Sequence, residues 1–179
     1  YQVYAASSII EKVRQHDFDI QDQGVGYIWH ATGSGKTISS FKTAWLASRL
    51  PNVDKVIFLV DRVALTNQTV DEYSAYDPEK GENGNDGVVT DAANRWVLSK
   101  KIKSKGNGII VTSIQKMAAL VKDKKGINEI AKKNILFIVD EAHRSTAGDM
   151  LQSIKTSFPR SAWVGYTGTP NFDKAPTTR

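Results

Sequence analysis

Short apolar runs alternate with longer amphipathic stretches along most of the chain. The runs are uncharged and rich in β-branched and aromatic residues, which is typical of strands buried on both faces of a parallel sheet. The stretches between them carry apolar residues at helical spacing, as at Phe41, Ala44 and Trp45. The pattern predicts strands at residues 25–29, 56–60, 108–111, 135–139 and 162–165, and helices at residues 37–50, 62–76, 114–122 and 146–157.

Strands that alternate with helices predict an α/β fold with three layers, in which helices cover both faces of a parallel sheet. In such folds ligands bind at the carboxyl ends of the strands. The polar residues that directly follow each predicted strand are therefore the first candidates for a functional site.

Two further features concern exposure. Residues 77–87 contain turn formers and charges but no apolar side chain to bury, which predicts an exposed, mobile loop. The tryptophans Trp29, Trp45, Trp96 and Trp163 are predicted to belong to the core rather than to stack on a ligand.

Composition narrows the class of protein only slightly. A chain of 179 residues suits one domain with a sound core, and its net charge of +5 permits a polyanionic partner without requiring one. The absence of cysteine excludes disulfides and thiolate metal sites and fits a reducing cytoplasm. Since no apolar run approaches the ~18 residues of a membrane span, we expect a cytoplasmic protein without a membrane partner.

A glycine-rich segment follows the first predicted strand. Its backbone N–H groups can surround phosphate oxygens, while Lys36 places a positive charge against the terminal phosphates and the Thr37 hydroxyl coordinates magnesium. The alternative is a tight strand-to-helix connection without a ligand. The candidate nucleotide-binding residues are Thr32, Gly33, Ser34, Gly35, Lys36 and Thr37.

The second candidate segment is acidic and follows the strand predicted at 135–139. Asp140 can hold magnesium through its water shell, and Glu141 can orient or deprotonate an attacking water. Taken alone, the same residues could cap a helix. Together with the glycine-rich segment they predict a nucleoside triphosphatase, with Lys36 and Glu141 as catalytic residues and Thr37 and Asp140 as metal ligands.

Finer motifs carry a family resemblance. They are Trp29-His30-Ala31-Thr32 before the glycines, Asp140-Glu141-Ala142-His143 followed by Arg144-Ser145, and Thr167-Gly168-Thr169-Pro170. The chain resembles superfamily 2 helicase-type motors, and among these the restriction (R) subunit of type I restriction-modification enzymes. The resemblance covers nearly the whole chain and implies ATP as the nucleotide, Mg²⁺ as the metal and a RecA-like P-loop NTPase fold. Another superfamily 2 DNA or RNA helicase or remodeller, or a non-catalytic nucleotide-binding module, is the alternative.

The resemblance also implies roles outside the phosphate site. Gln2 matches the upstream glutamine that reads adenine, although it could equally be an exposed terminal residue. Residues 58–68 and 110–116 resemble motifs Ia and Ib, which contact DNA phosphates without reading bases. The candidate DNA-binding residues are Asp61, Arg62, Thr112, Ser113 and Lys116. Helix capping by Asp61, Thr112 or Ser113 is the alternative.

A third group would couple nucleotide state to DNA. It comprises His143 with Thr167, Gly168 and Thr169, although the latter segment could be a simple turn. The lysine-rich run at 100–105 could attract phosphates but is more typical of a solvated face.

The resemblance finally implies a larger assembly. Residues 1–179 would be the first of two motor lobes, with a nuclease domain upstream and a second lobe downstream that supplies an arginine finger. The expected partners are double-stranded DNA and the methylation and specificity subunits of the restriction complex. The isolated lobe is expected to hydrolyse ATP poorly.

Overall fold

A parallel sheet forms the centre of the molecule. The computed structural model describes residues 2–19, 24–29, 36–61, 63–78, 80–81, 85–86, 89–92, 94–140 and 148–167. Within these residues six strands pair in parallel, in the order β1-β8-β7-β2-β6-β5. The sheet strands are β1 (Gly24–Trp29), β2 (Lys55–Val60), β5 (Val89–Asp91), β6 (Ile109–Ser113), β7 (Ile135–Asp140) and β8 (Ser161–Thr167).

Helices connect these strands. They are α1 (Gln2–Gln15), α2 (Lys36–Ser48), α3 (Val63–Tyr76), α4 (Arg95–Lys103), α5 (Ile114–Val121), α6 (Lys124–Ile130) and α7 (Gly148–Ser157). Each strand and helix predicted from the hydrophobic pattern is present, and no end is shifted by more than two residues. The chain therefore has the predicted α/β fold.

The two faces of the sheet contribute to separate core clusters. Along β2, Val56, Phe58 and Val60 pack with side chains of α1, α2 and α3. The alternate residues Ile57 and Leu59 pack with side chains of α4, α5, α6 and α7. Because successive strand residues point to opposite faces, this division confirms the predicted three layers.

Beyond the first helix, β5, α4 and α6 were also not predicted from the hydrophobic pattern. β5 has three residues and is stabilised by pairing with β6. Its own sequence does not predict this pairing. Helix α4 includes the first four residues of the lysine-rich run and buries Leu98 and Ile102. Its start is fixed by Asn94, whose side chain accepts hydrogen bonds from the backbone N–H groups of Trp96 and Val97.

Two predictions about exposure were wrong in part. Asp77, expected in an exposed loop, is buried and accepts a hydrogen bond from the Val89 N–H at 3.2 Å. The following residues form a short antiparallel ladder, in which β3 (Lys80–Gly81) pairs with β4 (Asn85–Asp86). Trp163 is buried as predicted, whereas the Trp96 side chain, in the first turn of α4, is 66% exposed.

No helix in the described part of the chain is long and apolar enough to cross a membrane.

Candidate functional site

The strand register gathers three predicted motifs at one edge of the sheet. Trp29, the last residue of β1, pairs with Thr167 of β8, and Tyr166 of β8 pairs with Asp140 of β7. The glycine-rich segment, the Asp140 motif and the Thr167 motif therefore leave neighbouring strands at the same carboxyl edge. The predicted coupling residue Thr167 ends the strand that separates the other two motifs.

A polar cavity of about 220 Å³ lies at this edge. It brings together the two predicted metal ligands, Thr37 from α2 and Asp140 from β7. The described residues that line it are Thr37, Ser40, Phe58, Gln68, Thr69, Glu72, Tyr73 and Asp140. The surface that lines the cavity is more polar than apolar. The cavity therefore suits a hydrated or ionic ligand better than an apolar one.

Helix α2 begins at Lys36, which directly follows the glycine-rich segment in the sequence. The helix is 13 residues long and has no acidic side chain in its first turn. Its positive dipole end and its unpaired N–H groups are thus not neutralised by a carboxylate of the helix itself. A helix terminus that follows glycine residues in the sequence is suited to a phosphate group.

The donor atoms in the cavity fit magnesium. Thr37 offers a hydroxyl and Asp140 a carboxylate, and both side chains are half-buried. Magnesium prefers oxygen ligands and retains several waters, for which a polar cavity leaves room.

Buried hydroxyl pairs join α2 to α3 and to β8. Tyr73 of α3 is hydrogen-bonded to Ser40 of α2 at 2.7 Å, and Tyr166 of β8 to Thr43 of α2 at 2.8 Å. Burial raises the pKa of Tyr73 well above its usual range, against the opposing effect of the hydrogen bond with Ser40. Burial likewise raises the pKa of Tyr166. Both phenols are therefore protonated at neutral pH.

The two candidate DNA motifs are joined at the same edge. Val60 of β2 pairs with Ser113 of β6, so the turns that follow these strands are neighbours. The Gln115 side chain donates a hydrogen bond to the Asp61 carbonyl at 2.8 Å, which links the two turns. Asp61 itself is half-buried.

The side chains of Thr112 and Ser113 are fully buried. Ser113 accepts a hydrogen bond from the Lys116 N–H at 3.2 Å and thereby caps α5, which is the alternative that the sequence left open. The Lys116 ammonium donates to the Ala92 carbonyl at 3.1 Å. In this arrangement a DNA strand can reach Lys116, which is half-buried, but not the hydroxyl of Thr112 or Ser113.

Several predicted site residues lie outside the described part of the chain. These are Thr32, Gly33, Ser34, Gly35, Arg62, Glu141, His143, Gly168 and Thr169. For Gln2, Lys36 and Thr167 the structure describes the backbone alone. Gln2 begins α1, which packs against α2 and β1, so its place is the first turn of an ordered helix rather than a loose terminus.

Sequence reasoning missed the contribution of α3 to the cavity. Gln68 and Glu72 are four residues apart, share a hydrogen bond of 3.0 Å between their side chains, and line the cavity together with Thr69 and Tyr73. The four-residue spacing places them on one helix face, but nothing in the sequence indicates that this face turns toward Asp140.

A second cavity, of about 300 Å³, lies between α4 and α6. Trp96, Lys100, Lys103 and Asp123 are among its lining residues, and none of the predicted nucleotide-site residues is. Lys103 forms an exposed ion pair with Glu129 at 3.3 Å. This groove is larger than the polar cavity, but it is not the better candidate for the nucleotide site. The predicted magnesium ligands line the polar cavity instead.

Comparison with known proteins agrees with the geometry. The family model of the SWI2/SNF2 ATPase matches residues 1–179. A type I restriction enzyme endonuclease subunit of Staphylococcus aureus (strain COL) is 38% identical over 173 residues, which are 96% of this chain and 17% of that protein. The C-terminal part of a putative type I restriction enzyme endonuclease subunit of Mycoplasma pneumoniae is 39% identical over 166 residues, covering 88% of this chain and 77% of that protein.

A solved structure shares the fold. It is a nuclease-deletion mutant of the Type ISP restriction-modification enzyme LlaGI in complex with a DNA substrate mimic, with a TM-score of 0.64 and 20% sequence identity. The match covers 95% of this chain and 17% of that one. The chain thus spans 17% of the length of the Staphylococcus relative and of the LlaGI chain.

Proposed function

Because the chain belongs to the SWI2/SNF2 ATPase family and to the family of type I restriction endonuclease subunits, we propose that it is the ATP-binding lobe of a motor that moves duplex DNA. The observation that carries the proposal is the polar cavity that Thr37 and Asp140 share at the carboxyl edge of the sheet. In this role the lobe supplies translocation, and DNA cleavage belongs to a separate nuclease domain.

The residues divide the work of phosphoryl transfer. Lys36 and the backbone of residues 32–35 hold the phosphates, and Gln2 contacts the adenine. Thr37 and Asp140 hold magnesium, which when bound neutralises phosphate charge. Glu141 orients the attacking water and accepts its proton.

DNA is proposed to follow the edge formed by the turns after β2 and β6. Arg62 and Lys116 supply positive charge, and the backbone at Asp61 supplies an N–H group, for phosphates of the DNA. Thr112 and Ser113, which are fully buried in β6, do not contact DNA in this proposal. In the sequence, His143 follows β7, and the segment Thr167-Gly168-Thr169 begins with the last residue of β8. We propose that these residues couple the nucleotide site to the DNA site. The methylation and specificity subunits would choose the DNA site.

The decisive experiment measures ATP hydrolysis by the intact protein with its companion subunits. Unmodified duplex DNA is expected to stimulate hydrolysis strongly and methylated duplex DNA weakly. Equal stimulation by both duplexes, or by RNA, would contradict the restriction motor and favour a general helicase or remodeller.

Two matched pairs of variants test the site residues in the same assay. Lys36→Ala is expected to lower hydrolysis at least about a hundredfold, because it removes charge at the phosphates. Lys42→Ala, an exposed lysine of the same helix, serves as its control. Glu141→Gln is expected to have an effect of similar size, whereas the exposed Glu129→Gln is not. Retained hydrolysis in Lys36→Ala and Glu141→Gln would remove the proposed site.

A further inference from the structure

A run of buried hydroxyls connects the candidate magnesium ligand to the helix of motif Ia. The side chains of Ser40, Thr43, Tyr73 and Tyr166 are all buried, between 0% and 2% exposed. Ser40 and Thr43 are three residues apart and therefore lie on one face of α2. Their partners come from two other elements, α3 and β8.

The direction of each hydrogen bond follows from counting hydrogens. The Ser40 hydroxyl donates to the Thr37 carbonyl at 3.0 Å, and a hydroxyl has only one hydrogen to donate. Tyr73, 2.7 Å away, must therefore be the donor to Ser40. The order is Tyr73 O–H to Ser40 O–H to the carbonyl of Thr37.

The second run has the same form. The Thr43 hydroxyl donates to the Ser39 carbonyl at 3.0 Å, so Tyr166, at 2.8 Å, donates to Thr43. Burial raises the pKa of both phenols, which keeps them in the protonated form that donation requires. Hydrogen bonds in series within a protein interior polarise one another.

These two runs fasten α2 to the elements that carry other motifs. Helix α3 follows the motif Ia turn at Asp61, and its Gln68 and Glu72 line the same cavity as Thr37. Strand β8 ends at Thr167, beside Trp29 of β1. A shift of α3 or of β8 must therefore either break a hydroxyl pair or move α2 with it.

We propose that Tyr73 and Tyr166 are positioning residues whose hydroxyls hold the magnesium-ligand end of α2 in register with α3 and β8, and that DNA accelerates ATP hydrolysis through these contacts. The inference rests on the proposed function, because it names the contacts that connect the proposed nucleotide site with the proposed DNA site. Neither tyrosine contacts the reacting atoms in this proposal; each acts through Ser40 or Thr43.

The test compares DNA-stimulated with DNA-free hydrolysis in the intact protein. Tyr73→Phe and Tyr166→Phe keep the ring and remove the hydroxyl. Each is expected to lower the ratio of stimulated to unstimulated kcat by about 3- to 10-fold, the size expected for one buried hydrogen bond. The KM for ATP is expected to stay within about twofold, because nucleotide contacts are retained.

Two further variants serve as an independent check and as a control. Ser40→Ala removes the other partner and is expected to reproduce the effect of Tyr73→Phe, while the double variant is expected to be no worse than either single variant. Tyr76→Phe is the matched control, since Tyr76 lies on the same helix but is 45% exposed. All variants are assayed well below their melting temperatures, and Ser40→Ala provides the measurement if Tyr73→Phe does not fold.

An unchanged stimulation ratio in Tyr73→Phe and Ser40→Ala, with Lys36→Ala still inactive, would overturn this inference and leave the proposed function standing. An equal loss in Tyr76→Phe would overturn it as well. If unmodified duplex DNA fails to stimulate the unaltered protein, the proposed function falls, and this inference falls with it.

Discussion

At the amino edge of the sheet polar side chains are bound to other protein groups, whereas at the carboxyl edge several of them line a cavity. At the amino edge the Asp54 carboxylate accepts a hydrogen bond from the Asn134 N–H at 2.7 Å. Asn134 in turn donates to the Asn52 carbonyl and accepts from Arg160, both at 2.9 Å. The Lys55 ammonium donates to the Gly106 carbonyl at 2.6 Å.

The carboxyl edge uses similar residue types differently. Thr37, Glu72 and Asp140 line a shared cavity, and the Ser40 hydroxyl in its wall donates a hydrogen bond to the Thr37 carbonyl. Polar groups that are hydrogen-bonded to one another within the protein contribute to stability. Polar groups that line a ligand site contribute to function. Substitutions at the two edges should therefore have separable effects.

The largest expected effect is on activity at the carboxyl edge. Asp140→Asn is expected to lower ATP hydrolysis by the intact protein at least about a hundredfold, because a neutral amide holds magnesium poorly. The melting temperature is expected to change little. Asp54→Asn, the same chemical change at the amino edge, should give the reverse pattern, with retained hydrolysis and a lower melting temperature. Similar hydrolysis in the two variants would break the comparison.

A smaller effect on stability is expected at the amino edge. Asn134→Ala removes the side-chain hydrogen bonds to Asn52 and Arg160 and is expected to lower the free energy of unfolding by about 1–3 kcal/mol. Denaturant titration measures this, and Asn128→Ala, an exposed residue of α6, is the control. Hydrolysis well below the melting temperature should be retained, and a specific loss of kcat would show that this edge also serves the site.

The smallest effect is a difference in alkaline stability. Burial raises the pKa of Tyr73 and Tyr166 in the folded protein above the usual 10.0, so the unfolded chain loses these protons first. Their contribution to stability is complete below about pH 10 and is lost as the pH rises further. Replacing both tyrosines by Phe should make the fall in melting temperature above pH 10 shallower.

Lys55 should act in the opposite sense. Burial, followed by the nearby charge of Lys133, lowers the pKa of Lys55 in the folded protein below 10.5. In the window between its folded pKa and 10.5 the unfolded chain binds more protons, so stability rises with pH. Lys55→Met should therefore make the alkaline fall steeper, and melting curves between pH 8 and 11 compare the variants. Parallel curves for both sets would show that neither group titrates differently on folding.

The sequence by itself determined the layers of the fold and the nature of the chemistry. The uncharged β-branched runs predicted buried strands, and the segments from Thr32 to Thr37 and at Asp140 carry residue types that suit phosphate and magnesium. These features are local, since each depends on residues within one strand and the turn after it. For this reason they could be predicted without knowledge of any distant contact.

Tertiary structure alone decided which residues meet across elements. Tyr73 and Ser40 are 33 residues apart, and Tyr166 and Thr43 are 123 apart, so no spacing along the chain indicates either hydroxyl pair. It also decided that Thr112 and Ser113 are buried, that Asp77 binds Val89, and that β5 exists beside β6. In each case the stabilising partner lies on another element, and its position is set by the packing of the sheet rather than by the neighbouring sequence.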